Sequence, residues 1–180
     1  MSGRRLDVLC AGEALVDFLP EGKGKRVRDV ERWTRCSGGS PANVAIGLAR
    51  LGVRSGFLGV VGEDEFGHFL KSSLTREGVD TRWMRQTKEA RTGLAFVSIA
   101  DDGDRSFVFY RKPSAEFLLA PSDARAPALE EVGILHFGSN SLLLPDAQDA
   151  MRELVRRARQ AGCLVSCDPN LRLHVWDEPG

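Results

Sequence analysis

The segment Ser37-Gly38-Gly39-Ser40-Pro41-Ala42-Asn43-Val44-Ala45, continuing to Leu51-Gly52, carries the densest structural information in the chain. Two adjacent glycines let the backbone turn tightly and approach a ligand where a Cβ would collide. Ser40 reads as an N-cap and Pro41 as the first helical residue, where its missing N–H costs nothing. Ala42, Val44, Ala45, Ile46, Leu48, Ala49 and Leu51 are apolar nearly all round, so the spacing predicts a buried helix. Gly52 closes it as a C′ glycine. Spare N–H donors and a positive dipole end then face the glycine turn. Asn43 on the first turn both donates and accepts. Such a mouth suits a polyhydroxylated or anionic small molecule. The alternative is a glycine loop that merely starts a helix.

Upstream, Leu6 to Cys10 is a short apolar run ending in Ala11-Gly12, a buried first strand. In the following Glu13-Ala14-Leu15-Val16-Asp17-Phe18-Leu19-Pro20, Asp17 is a carboxylate among apolar neighbours, just past the carboxyl end of strand one, where α/β proteins bind ligands. Residues 21 to 29 read as a charged surface loop. Downstream, Gly56 to Val61 is a second buried strand, Asp64 caps a helix, and Phe66, Phe69, Leu70 and Leu74 keep helical spacing up to Gly78. Strand, helix, strand and helix in succession predict βαβ units around a parallel sheet.

The middle of the chain changes character. Arg91 to Ala100 and Arg105 to Arg111 read as strands of a hairpin, joined by Asp101-Asp102-Gly103-Asp104. Leu94, Phe96 and Ser98 alternate with Ala95, Val97 and Ile99, so both faces need partners. One face suits a pocket cover and the other a second subunit, the alternative being an antiparallel edge of the main sheet. The α/β rhythm then returns, with a strand over 133–137, the polar loop Gly138-Ser139-Asn140-Ser141 and a helix opened by Pro145 and stopped at Gly162. Cys163 to Cys167 is the next strand, with both cysteines expected as small buried hydrophobes. Asp168-Pro169-Asn170-Leu171-Arg172 follows at its carboxyl end. A carboxylate, an amide and a guanidinium in one loop suit phosphate and metal ions. An Asx-turn is the plainer alternative.

Composition narrows the function classes. Lys plus Arg and Asp plus Glu each number 25 in 180 residues, a formal net charge of zero. Neither this balance nor any charge run points to a nucleic-acid or membrane partner. No stretch approaches a membrane span and no signal-peptide core opens the chain, so a cytoplasmic protein is expected. The four cysteines form no Cys-x-x-Cys pair and the three histidines lie far apart, so no metal site is expected. His136 reads as a satisfied core histidine.

Gly-Gly-x-Pro-x-Asn-x-Ala, then Gly52 and Gly62, resembles the N-terminal signature of the ribokinase-like (PfkB) carbohydrate kinases. The resemblance implies an α/β fold of three α/β/α layers, with a mostly parallel central sheet and a small β-sheet lid. That lid is drawn from about residues 14–19, 28–36 and 91–111, and its outer face commonly forms a homodimer contact. It also implies sugar-binding roles for Gly38, Gly39, Asn43 and the aspartate of Gly-Glu-x-x-x-Asp, Asp17. Phe109-Tyr110-Arg111-Lys112-Pro113-Ser114-Ala115 resembles the fructokinase branch, with 2-keto-3-deoxygluconate kinases as near relatives, and brings Tyr110 and Arg111 to the substrate. Those relatives tend to carry Tyr where Phe109 stands, which leans toward a neutral hexose such as fructose. The Asp-x-Asn-x-Arg pattern implies that Asp168 and Asn170 serve the phosphate side and that Arg172 lies near the substrate.

ATP and Mg2+ are the cofactors this resemblance implies for a complete enzyme. The family's Gly-Ala-Gly-Asp segment, which supplies its catalytic base and anion hole, has no counterpart through Gly180. The reading is therefore the N-terminal part of an ATP-dependent sugar kinase, inactive by itself, the base being expected beyond Gly180. The alternatives are a non-catalytic sugar-binding or regulatory module, or a 2-keto-3-deoxygluconate kinase rather than a fructokinase, since Arg111 suits either substrate through hydroxyls or a carboxylate. A Rossmann-type nucleotide binder fits poorly, because the glycines do not follow strand one as Gly-x-Gly-x-x-Gly.

Overall fold

The computed structural model of the chain describes residues 5–101, 105–111 and 113–170. In chain order the strands and helices are β1 (Leu6–Ala11), β2 (Leu15–Pro20), β3 (Trp33–Gly38), α1 (Ser40–Arg50), β4 (Ser55–Gly62), α2 (Glu65–Arg76) and β5 (Asp80–Thr87). There follow β6 (Leu94–Ile99), β7 (Arg105–Tyr110), α3 (Pro121–Ala124), β8 (Val132–Gly138), α4 (Pro145–Gln160) and β9 (Leu164–Asp168). One sheet has the order β5-β4-β1-β8-β9, and all its pairings are parallel.

The central strands are apolar on both faces because both faces are covered. Leu9, Ala11, Leu58, Val60 and Leu135 pack with Ala147, Met151 and Leu154 of α4. Val8, Cys10, Phe57 and Val61 pack on the opposite face with Ala42 and Ala45 of α1 and Leu70 and Leu74 of α2. The result is three α/β/α layers. Burial pushes the Cys10 thiol up to about 12, so it sits there as an inert small hydrophobe.

Helix α1 departs from its sequence reading in two ways. Its N-cap is Gly39, at φ 102, and Ser40 is already helical without a side-chain capping bond. Only the face toward β1 and β4 is buried, at Pro41, Ala42 and Ala45, while Leu51 is 81% exposed. One layer of sheet covers one face of a helix, so the remaining apolar residues stay half-open. The C-terminus matches the expectation. Gly52, at φ 79, donates to the Ala49 carbonyl and Val53 to the Leu48 carbonyl, the pairing of a Schellman stop.

Strand β5 has no counterpart in the sequence reading, because its charges hide its period. Arg82 pairs with Asp80, and Arg85 reaches Asp123 of α3 at 2.7 Å and the Leu118 carbonyl at 2.8 Å. At the other margin of the sheet, Cys163 is buried but Cys167 is exposed. Every β9 residue except the half-buried Val165 is exposed, so the expected burial of Cys167 fails. His136 is half-buried on β8. Its Nδ1 lies 3.1 Å from the Ser166 hydroxyl, and Nε2 has no partner among the described residues.

A second, four-stranded sheet has the order β3-β2-β6-β7. β2 pairs parallel with β6, and both outer pairings are antiparallel. The hairpin of residues 91–111 therefore belongs to a sheet of its own and not to the edge of the main one. Residues 27–29 form a 3-10 turn, with strand only from Trp33, and 102–104 of the expected hairpin turn lie outside the described residues. One face of this sheet carries an aromatic row. Phe18 and Phe96 stack at 4.8 Å, Trp33 and Tyr110 meet Phe96 edge-on, and Phe66 of α2 meets Phe18 at 5.9 Å.

Candidate functional site

β1 stands between β4 and β8, so successive strands leave it first to one side and then to the other. Such a reversal leaves a crevice at the carboxyl ends of the strands, where α/β folds bind ligands. A cleft of about 490 Å³ lies there, floored by Glu13, Asn140 and Asn170 from the ends of β1, β8 and β9. Gly39, Ser40, Asn43 and Val44 at the mouth of α1 form one side. The small sheet closes it from above with Leu15, Asp17 and Leu19 of β2, Val97 of β6 and Phe107 and Phe109 of β7, and Arg111 follows β7.

The two glycines do separate jobs. A Cβ on Gly38 would run into the Asp17 carboxylate, and one on Gly39 would collide with the Glu13 carbonyl oxygen. Gly38 therefore makes room for the acid, and Gly39 lets α1 start directly against the β1 loop. Register places Asp17 opposite Cys36 and Leu15 opposite Gly38, so Asp17 leans over the helix mouth. Burial raises the Asp17 carboxyl above its ordinary value, as expected for an acid held against apolar strands without a cation beside it.

Glu13 is 3% exposed. Its Oε1 accepts from the Ser40 N–H at 3.1 Å and from Asn140 Nδ2 at 3.2 Å. One carboxylate thus satisfies an orphan donor of α1 and fixes the β8 loop to the β1 loop. Its Oε2 and the Asn140 Oδ1 are buried with no partner among the described residues. A buried acceptor left unmet costs roughly 1–3 kcal/mol, so this floor retains hydrogen-bonding capacity.

Arg111 is 7% exposed and donates from Nε to Glu116 Oε1 at 3.1 Å. Its guanidinium lies 4.8 Å from the Phe117 ring centre and 5.5 Å from that of Phe109. The Ser114 hydroxyl donates to the Arg111 carbonyl at 2.7 Å, pinning the chain where it leaves the small sheet. Burial raises the Glu116 carboxyl, while Arg111 and Ser114 pull it back.

Asp17, Gly39, Asn43, Arg111 and Asn170 thus meet around one cleft, with Gly38 beside Asp17. Asn170 holds a positive φ of 38, and its N–H donates to Asp168 Oδ1 at 2.9 Å. That is the Asx-turn alternative, and it leaves Asp168 exposed outside the cleft lining while turning Asn170 toward it. Tyr110 requires a correction. Strand alternation puts Phe109 on the cleft face and Tyr110 on the other, 65% exposed against Phe96. Arg172 lies outside the described residues. Glu13 and Asn140 were not read as site residues. Their signal was position alone, each lying just past the end of a strand beside the reversal.

The residues from 5 to 179 match the model of the pfkB family carbohydrate kinases. The chain belongs to that family. Among curated pfkB relatives, it is 44% identical over 169 residues to the probable chloroplastic fructokinase-6 of Arabidopsis thaliana, covering 94% of this chain and 44% of that protein. It is 41% identical over 175 residues to the probable fructokinase-4 of the same plant, covering 97% and 54%. Among solved pfkB-type structures, the fructokinase of Xylella fastidiosa superposes with a TM-score of 0.86 at 39% identity, covering 98% of this chain and 54% of that one. The same enzyme has been solved with bound ATP, again at a TM-score of 0.86, 39% identity and 98% of this chain, with 55% of that chain covered. The chain spans about half the length of the curated relatives it matches.

Proposed function

We propose that the chain is the sugar-binding half of an ATP-dependent sugar kinase of the fructokinase type, with fructose as the sugar. One observation carries this reading. A carboxylate (Asp17), an amide (Asn43) and a guanidinium (Arg111) converge in a cleft whose roof is the apolar strip Val97, Phe107 and Phe109. A sugar presents hydroxyl edges and apolar C–H faces, and a cleft with a few placed polar groups opposite an apolar wall takes both. Asp17 accepts hydroxyl protons, Asn43 both donates and accepts, and Arg111 donates. The fructokinases among the relatives support fructose over other sugars.

ATP use is supported by the ATP-bound fructokinase relative. In this chain Asn170 stands at the cleft with Asp168 behind it, on the side assigned to phosphate. Among the described residues no cluster of three or more His, Cys, Asp or Glu side chains comes together. Mg2+ takes most of its octahedral shell from water and substrate phosphates and needs only one or two protein carboxylates, so Asp168, exposed behind Asn170, would be the residue to hold it on this side. The chain's own contribution is to bind and orient the sugar beneath the apolar roof, where positioning lowers the barrier.

The test is calorimetric titration of fructose into the chain and into Asp17→Ala and Asn43→Ala. Each variant should bind at least about tenfold more weakly, the value of one buried partner of a hydroxyl. Equal affinity in all three would show that the sugar lies elsewhere. The exposed Tyr110 and Val108 on the aromatic face of the small sheet support a homodimer through that sheet, readable by light scattering.

A further inference from the structure

The cation at the cleft wall is cancelled from behind. The Glu116 side chain is 1% exposed and pairs with Arg111, itself 7% exposed on the side-chain measure. Glu116 does not line the cleft, and a Cβ on Gly93 would strike its carboxylate. The glycine at 93 therefore makes room for this acid beside β6, and the Gly93 carbonyl accepts from Val16 N–H at 3.0 Å. The rings of Phe109 and Phe117 flank the guanidinium. Arg111 Nη2 is left without a partner among the described residues. Among the described residues, the two other ionisable side chains lining the cleft, Glu13 and Asp17, are both carboxylates.

From this arrangement we propose that Glu116 is a specificity-determining positioning residue, which neutralises and orients Arg111 so that the cleft accepts a neutral ketose and rejects a sugar acid. The proposal rests on the sugar-binding reading of the cleft. A hydroxyl needs only the directed N–H donors of Arg111, and pairing through Nε leaves Nη2 without a partner among the described residues. A carboxylate needs an uncompensated positive charge to offset its desolvation. Here it meets a cation already paired with Glu116, in a cleft also lined by the carboxylates of Asp17 and Glu13. Discrimination by placing like charge against the wrong ligand is a general device.

The probes are fructose and 2-keto-3-deoxygluconate, titrated separately into the chain and into Glu116→Gln. The amide keeps the shape of the side chain and an oxygen for Arg111 Nε while removing the charge. The wild-type chain should prefer fructose. In Glu116→Gln the affinity ratio should move toward the sugar acid by at least about tenfold, the scale of one uncancelled charge near a protein surface. Fructose binding with an unchanged ratio, including equal loss of both ligands, would reduce Glu116 to a structural ion-pair partner and overturn the proposal. A wild-type preference for the acid would overturn it as well. Binding of neither ligand would remove the sugar-cleft reading and this inference with it.

If circular dichroism shows Glu116→Gln unfolded, the wild-type chain answers through salt. Raising ionic strength from about 0.01 M to 0.15 M shortens the screening length from about 30 to 8 Å. The sugar-acid affinity should then rise relative to that of fructose, because the net effect being screened is repulsion. A relative affinity that falls or stays flat would overturn the proposal, a fall showing that Arg111 acts as a bare cation.

Discussion

At the residue scale the site rests on what glycine permits and what burial does to a carboxylate. Gly39 holds φ 102 against the Glu13 carbonyl, whereas Gly52 holds φ 79 in open space. Gly52→Ala should therefore cost about 1–2 kcal/mol from backbone handedness alone, and Gly39→Ala about 2–4 kcal/mol once the collision is added, both read by denaturant melts. Asp17 shows the tension between function and stability. Its folded-state carboxyl binds a proton more tightly than the unfolded chain's, because burial raises it. The associated stability is present at low pH and lost as pH rises through the folded value. Asp17→Asn should thus melt higher than wild type at neutral pH, with the margin closing toward about pH 4, while binding fructose more weakly. A lower melting temperature at neutral pH would show that the carboxylate is compensated. Asp17, Gly39 and Asn43 were legible in the sequence because an acid, a glycine pair and an amide each stood out against apolar neighbours. Glu13 and Asn140 were not, since their role depends on two distant strand ends meeting. Tyr110 was misassigned because strand parity across the small sheet was not carried through to it.

At the element scale, helix α2 and the small sheet share a fastening. Asp64 caps α2 by accepting from the Phe66 and Gly67 N–H groups, and it also accepts from the Thr92 N–H at 2.9 Å and hydroxyl at 2.8 Å. Burial raises its carboxyl, but those donors outweigh the burial and hold it below its usual value. Thr92 in turn accepts from the Gly62 N–H at 3.0 Å, so the entry into β6 is tied to the end of β4. Asp64→Ala should cost about 1–2 kcal/mol for the lost cap and speed amide exchange at Thr92. Slow exchange at Thr92 despite the loss would mean that the sheet is held elsewhere. Most elements were readable, since β4 is a continuous apolar run and α4 keeps a clean apolar stripe. β5 escaped because its arginines are paired with Asp80 and Asp123, contacts that only tertiary structure supplies. The outer face of α1 looked buried because the number of layers covering a helix is not a local property.

At the scale of the whole molecule, the strand order of a parallel sheet reverses beside β1, and a second sheet roofs the crevice that this creates. Among the described residues, the wall so formed offers carboxylates, amides and one guanidinium, with Asp17 and Glu13 as its acidic lining groups. On the proposed reading Asp17 binds sugar hydroxyls, and Glu13 Oε1 is held by the Ser40 N–H and Asn140; the family resemblance assigns the base to neither. General-base help is worth roughly 10²–10⁴-fold, and the 180 residues contain no Gly-Ala-Gly-Asp segment. Purified chain with Mg·ATP and fructose should release no ADP above a no-sugar blank, and robust sugar-dependent release would require a base within these residues. The central claim is that the crevice between α1 and the small sheet is the sugar site. A crystal structure of the chain grown with saturating fructose tests it most directly. The account predicts one sugar in the cleft, its hydroxyls within hydrogen-bond distance of Asp17, Asn43 and Arg111 and its C–H face against Phe107 and Phe109. An empty cleft at saturating sugar, or fructose seated on another surface, would contradict it.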